Sequence, residues 1–256
     1  MPIIDEIRQQ RKTLKSKPFK EKLDYFWYYY KTHVIVTFFA FIIGTILIHD
    51  LITAKDTAFY AAFLNSFATQ QQDEEFMAEF APLTDVDLTK HNIYLDTNIR
   101  FNVESYDEDS MAAAQKFMAL SATGDINVVV SERNVFANYA NNGVFMDLRD
   151  CLTDGQLGKY KDHFFYFDET ILDQEIDYER ITGDSSAIPD DTLDRRNPET
   201  MEKPVPVGIF LDDSMKNKLT EMGYYGKQQE IIFGIMNTED TSVYCQQFLD
   251  WLTCEE

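Results

Sequence analysis

The strongest hydrophobic pattern in the chain is one uninterrupted run, Val34 to Ile48 (VIVTFFAFIIGTILI), whose only polar members are two threonines. At about 1.5 Å per residue it covers roughly 22 Å of the roughly 30 Å hydrocarbon slab. The flanks supply the rest. Trp27, Tyr28, Tyr29 and Tyr30 stand just before it, where amphipathic rings favour the head-group boundary, and Lys31 is placed to snorkel. Leu51 and Ile52 extend it beyond His49 and Asp50. The pattern predicts a transmembrane helix over residues 30–52, with Trp27, Tyr28, Tyr29, Tyr30 and Lys31 as its anchor in the lipid bilayer. A cleaved signal peptide fits poorly, because the preceding segment is too long for an n-region and no small-x-small site follows. Upstream, Phe19, Leu23, Phe26, Trp27 and Tyr30 share one helical face. This predicts a basic juxtamembrane helix within 1–29, either lying in the inner interface or continuing the membrane helix.

From Lys55 onward short apolar runs alternate with amphipathic stretches. Thr57–Asn65 reads as a strand, followed by a helical stripe of Phe76, Met77, Phe80 and Leu83. Ile93–Leu95 reads as a second strand, bending near Thr97 toward Ile99 and Phe101. A helix with Met111, Ala114, Phe117 and Met118 on its face follows, entered from the acidic stretch Asp107–Ser110. Ile126–Val130 is a continuous apolar strand, Ser131 a candidate N-cap, and Val135, Phe136, Tyr139 and Ala140 the next helix face. Asn141-Asn142-Gly143 closes that helix. Strands at Phe164–Phe167, Val205–Leu211 and Glu230–Met236, a helix at Met215–Met222 and a final helix with Val243, Tyr244, Phe248, Trp251 and Leu252 complete the pattern. Such alternation predicts an α/β domain over 56–256, its sheet mostly parallel, flanked by helices and joined by right-handed crossovers. Asp168–Lys203, with twelve acids, four bases and turn-forming Gly183-Asp184-Ser185-Ser186 and Pro189-Asp190-Asp191, reads as an acidic, partly mobile surface insertion.

Charge turns this pattern into a topology. Residues 1–33 hold eight Lys/Arg against four acids, whereas the remainder holds 15 basic and 40 acidic residues. Excess Lys and Arg before a membrane helix places the N-terminus in the cytoplasm and the C-terminal domain outside the cell. A domain that acidic repels nucleic acid, which is excluded as a partner of the outer part. Three cysteines, Cys151, Cys245 and Cys254, are too few for a disulfide framework. Cys245 and Cys254 are near enough in sequence to pair; the alternative is three free thiols.

The segment Gly124-Asp125-Ile126-Asn127-Val128-Val129-Val130, then a helix, then Asn142-Gly143-Val144-Phe145-Met146-Asp147-Leu148, resembles part of bacterial extracellular solute-binding proteins. Pro204-Val205-Pro206-Val207-Gly208-Ile209 and Ile231-Ile232-Phe233-Gly234-Ile235 are similar to their return strands. The Trp-Tyr-Tyr-Tyr-Lys entry to the membrane resembles single-pass proteins of Gram-positive anaerobes. The resemblance implies one lobe of a type 2 periplasmic-binding-protein-like fold, reduced and membrane-anchored. The chain departs from that family in having room for one lobe of about 200 residues, without the second that forms a cleft. Fold alone does not carry function. The expectation is therefore a non-enzymatic accessory or scaffold subunit docking on another membrane or envelope protein. Capture or sensing of a small solute or peptide is the alternative.

Signatures of chemistry are sparse. The sequence has no phosphate-binding glycine loop, GxSxG elbow, HExxH or paired-cysteine metal motif, so no cofactor, metal or catalytic residue is expected. His33 and His49 bracket the membrane run, and His91 and His163 are lone residues. Asp184, Asp190, Asp191 and Asp194 lie close enough together for a calcium site but lack an EF-hand framework. Phe164, Phe165, Tyr166 and Phe167 read as core, with a pocket lining as the alternative.

Overall fold

The computed structural model describes residues 18–101, 107–171, 191–238 and 243–254, with the backbone alone at residues 21, 22, 25 and 29. The chain divides into two compact units, Met1–Ala54 and Lys55–Glu256.

The first unit is a single helix, α1, Phe19–Thr53. Residues Tyr30–Thr53, whose most apolar 18-residue window has a mean hydropathy of 2.2, are long and apolar enough to cross a membrane. The helix runs through residue 30 without a break, so the upstream stripe continues it. Within that stripe Phe19, Leu23, Phe26, Trp27 and Tyr30 are all exposed.

The second unit is a six-stranded sheet with helices on both faces. Its elements are β1 (Asp56–Phe63), α2 (Gln70–Phe80), β2 (His91–Asp96), α3 (Glu108–Thr123), β3 (Val128–Glu132), α4 (Arg133–Ala140), α5 (Leu148–Cys151), α6 (Asp154–Tyr160), β4 (Phe164–Asp168), β5 (Pro204–Leu211), α7 (Asn217–Glu221), β6 (Ile231–Ile235) and α8 (Val243–Leu252). The strand order is β2-β1-β3-β6-β5-β4. β1 pairs in parallel with β2 and β3, whereas β3–β6, β6–β5 and β5–β4 are antiparallel. The sheet is therefore mixed and parallel only at one end, which corrects the expected mostly parallel sheet. Continuous apolar runs mark strands buried on both faces but carry no information on direction.

β1 shows how the layers arise. Its period of two sends Phe59, Ala61 and Phe63 into one core and Tyr60, Ala62 and Leu64 into the other. The first core is completed by Phe76, Met77 and Phe80 of α2 and Phe248 and Leu249 of α8, the second by Phe117 of α3 and Phe136 of α4. Because β2 and β3 lie on opposite sides of β1, crossovers of one hand must put α2 and α3 on opposite faces, as found. In the second core Phe136 stacks on Phe145 at 4.1 Å and lies over two strand glycines. A Cβ at Gly208 or Gly234 would come within 2.7 or 2.6 Å of its ring, so only glycine admits the ring at these positions.

Helix ends follow sequence signals in most places. Asp107 accepts from the Ser110 N–H at 2.8 Å, Gly124 closes α3 at φ 74°, and Gly143 follows α4 at φ 68°. Three expectations are corrected. The buried face of α3 is Ser110, Ala113 and Phe117, while Met111 and Met118 are exposed. Ser131 belongs to β3, and Glu132 occupies the N-cap position without a capping bond. Leu83 and Val243, expected on buried stripes, are exposed.

The acidic stretch 168–203 is described only in part. Gly183-Asp184-Ser185-Ser186, Pro189 and Asp190 lie outside the described residues. From Asp191 onward the stretch lies mostly exposed on the surface, held to the sheet through Arg195. Arg195 is 1% exposed and donates Nε to Asp191 (3.0 Å) and Nη2 to Asn141 Oδ1 (3.0 Å), with Phe165 beneath the guanidinium. Asp191 also accepts from Arg133 Nε at 3.2 Å. The Arg195 carbonyl accepts from the Tyr166 N–H at 2.8 Å, so this segment covers the outer edge of β4. Burial would raise the Asp168 pKa, but the Glu202 N–H, the Thr170 hydroxyl and the Lys203 N–H outweigh it and lower it to about 2.

Candidate functional site

The predicted anchor residues lie together in α1. Trp27, Tyr28 and Tyr30 present exposed rings, Lys31 is exposed in the next turn, and Phe26 stacks on Tyr30 at 5.3 Å. Tyr29 shares the helix, but its side chain is outside the described set. Tyr30 and His33 rings meet edge to face at 6.2 Å.

In the outer unit, topology names the place to look for a ligand. In open α/β sheets ligands lie outside the carboxyl ends of the strands, where the strand order reverses. Here that point is the carboxyl end of β1 between β2 and β3. The chain itself fills it. Tyr225 is 3% exposed, and its hydroxyl donation is shared between the carbonyls of Leu64 (2.8 Å) and Val130 (2.9 Å). The neighbouring Tyr224 carbonyl accepts from the Phe67 N–H at 3.0 Å and the Ser66 hydroxyl at 3.2 Å. Asn65, at φ 55°, turns the chain there, accepts from the Phe101 N–H (2.6 Å) and donates to Glu132 (2.9 Å).

Beside this plug lies a buried polar cluster at the end of β2. Asp96, fully buried, accepts from the Tyr60 hydroxyl (2.7 Å), the Asn98 N–H (2.8 Å) and the Lys116 ammonium. Burial would raise its pKa, but the Lys116, Tyr60 and Asn98 donors outweigh that and hold it below the usual carboxylate range. Asp73 of α2, 6% exposed, accepts from the Thr97 hydroxyl at 2.6 Å and faces the Tyr224 hydroxyl without a well-formed bond. Burial raises the Asp73 pKa, with Thr97 and Tyr224 only partly offsetting it. Burial, then Asp96, raises that of Tyr60. The cluster has the separated carboxylate pKa values that acid–base sites use. Asp96 is occupied by the chain's own donors, whereas one carboxylate oxygen of Asp73 has no hydrogen-bond partner among the described residues.

A hollow of about 1280 Å³ lies at the opposite, amino end of the parallel strands. Lys55, Asp56, Asp85, Asp87, His91 and Asp125 line it. Lys55 Nζ donates to the Leu88 carbonyl (2.5 Å) and Tyr244 Oη to Asp85 (2.9 Å), tying its rim together. Among the described residues no three Cys, His, Asp or Glu side chains converge as metal ligands. Asp191, a candidate calcium ligand, is taken up by Arg133 and Arg195. Asp194 instead accepts from the Arg196 N–H at 3.3 Å. His163 lies 3.9 Å from Asp212. Phe164, Phe165 and Phe167 are core and Tyr166 is partly buried against it. Cys151 and Cys245 are buried thiols and Cys254 is an exposed one, so the Cys245–Cys254 disulfide is not present. Burial first, then Cys245, pushes the Cys151 thiol up to about 12.

Sequence reasoning missed the Tyr225 plug, the Asp96–Lys116 pair and the Asp191–Arg195 pair. The first joins residues 95 and 161 positions apart, beyond any local pattern. Comparison of the chain with protein-family models, with curated proteins and with solved structures finds no match.

Proposed function

We propose that the chain is a non-enzymatic, single-pass membrane protein whose acidic outer lobe serves as an accessory or scaffold subunit, docking on another envelope protein. The carrying observation is the filled switch point: Tyr225 occupies the strand-end crevice where a solute would lie. A lobe without that crevice binds through its surface. The solute-binding-like character of the lobe is part of this reading and rests on the segment Asp125–Leu148. The N-inside orientation is supported by the eight basic residues before the apolar helix and the forty acids beyond it. Cross-linking in native membranes followed by pull-down tests the docking; recovery of the monomer alone counts against it. Protease added to intact protoplasts tests the orientation, and should remove the outer domain while sparing an N-terminal fragment.

Solute capture remains the second reading, favoured by the polar hollow at the amino end of the strands. A thermal-shift screen against sugars, amino acids and peptides separates the two. A true ligand at 100 times its Kd adds about 2.7 kcal/mol, and flat curves across a broad panel remove this reading.

A further inference from the structure

The two edges of the sheet are treated differently. The outer edge of β4 is covered by the chain, through Tyr166 N–H to Arg195 and Glu169 N–H to Lys203. Among the described residues β2, at the other edge, pairs only with β1. In a parallel pair alternate residues turn their N–H and C=O groups away from the neighbour. Among the described residues, nothing accepts from or donates to the outward groups of Asn92–Asp96, and His91 N–H alone turns back to Asp87. The strand has no proline or lysine of its own to guard this edge, and Asn92 and Tyr94 are exposed. Alongside it, between α2 and β2, runs a hollow of about 220 Å³ lined by Asp73, Glu74, Met77, Ile93, Tyr94 and Asn98. The charged side chains lining it are both acidic. The nearby Arg100 guanidinium is turned to the Ala68 carbonyl.

We propose that β2 accepts an extended, basic segment of the partner protein as an added strand, with one Lys or Arg side chain lying in the hollow against Asp73 and Glu74. Backbone pairing supplies the attachment, and the acidic hollow with its Ile93 and Met77 walls selects a long cationic side chain. A second copy of this chain is the poorer occupant, because 40 acids against 15 bases beyond residue 33 repel their own kind. The inference rests on the docking reading above and deepens it.

The test uses the full chain in phosphatidylcholine nanodiscs and a fluorescent peptide of alternating Lys and Val, about seven residues long to match a strand. Two further peptides carry backbone N-methyl groups on one or the other alternate set of residues. Strand addition predicts that one N-methyl set weakens binding about tenfold or more while the other leaves it nearly unchanged. Glu74→Lys, at an exposed position, should weaken the parent peptide by a similar factor, as should a Glu/Val peptide in place of Lys/Val. Equal binding of both N-methyl peptides, or no binding by about 1 mM, overturns the inference. A photo-cross-linker placed at Asn92 in native membranes separates its failure from that of the docking reading. A partner captured through Asn92 supports both. A partner captured only through other surfaces leaves docking standing and sinks the β2 edge, as does capture of a second copy through Asn92. No partner captured at any position sinks the docking reading.

Discussion

Tyr225→Phe isolates the plug at the strand ends. The substitution removes one oxygen and keeps the ring among its neighbours in the first core. The lost hydroxyl donates, shared, to the Leu64 and Val130 carbonyls. The Val130 carbonyl keeps the Leu64 N–H at 2.9 Å, whereas that of Leu64 is left without a donor among the described residues. A buried acceptor left unsatisfied costs about 1–3 kcal/mol, and a shared bond sits toward the lower end, so about 1–2 kcal/mol is expected. For a domain of this size that corresponds to a Tm loss of roughly 2–8 °C. Urea unfolding of the full chain in detergent, followed by far-UV circular dichroism, reads the change as a lower midpoint at unchanged slope. Tyr225→Ala should cost more, about 3–5 kcal/mol, because it also opens a cavity. The docking reading adds that Tyr225→Phe leaves partner capture intact. A stability change below about 0.3 kcal/mol would refute the claim that this hydroxyl holds the crevice closed.

Three further substitutions probe the other features. Asp73→Asn keeps an acceptor for Thr97 and removes a carboxyl whose folded pKa is raised. Such a group stabilises fully below its unfolded pKa and loses that contribution as pH rises through the folded value, so the variant should be more stable than the parent at pH 7, by about 0.5–2 kcal/mol, and lose that advantage by about pH 3. Midpoints across that range check it, and an advantage independent of pH would contradict the sign. Asp191→Ala leaves the 1% exposed Arg195 without its carboxylate and should cost about 3–5 kcal/mol, read as a Tm loss of roughly 10 °C. Gly234→Ala drives a Cβ to 2.6 Å from the Phe136 ring and should cost about 1–3 kcal/mol; Phe136→Leu in the same chain should recover part of it if the clash is the cause.

How much of this could be read from the chain follows the range of each interaction. The apolar run, β1, α4 and β6 declare themselves through runs or periods within a dozen residues; β1 and β6 lie within two residues of the expected bounds, whereas α1 begins at Phe19, well before the expected residue 30. The entry to α3 was legible because Asp107 and Ser110 are three apart. Its buried face was assigned one position off, since Met111 and Met118 have the hydrophobicity of core residues yet face solvent. Strand direction was not legible: β6 and β3 are equally apolar, and only pairing across more than 95 residues fixes them as antiparallel. In the polar stretch from Asp191 to Lys203 the composition gives no sign that Arg195 is buried, paired with Asp191 and set over Phe165. Composition reports the average cost of burying such groups, not the partners that offset it.

The pattern of closed and open surfaces bears on where a partner would act. The segment from Asp191 to Lys203 seals the β4 edge and Tyr224-Tyr225 seal the strand-end crevice; both come from the last third of the chain. What stays open belongs mostly to the first parallel half: the β2 edge, the groove beside α2, and the hollow at the amino ends of the strands. Sealing groups are buried and hydrogen-bonded, so changing them lowers stability first. Exposed groups such as Asn92, Tyr94 and Glu74 are near-neutral for folding, and changing them should alter binding with stability unmoved. A substitution series therefore separates two surfaces of one domain. If Glu74→Lys and Tyr94→Ala lowered partner capture only in proportion to a loss of Tm, the first half would be scaffold as well, and the partner surface would have to be sought elsewhere.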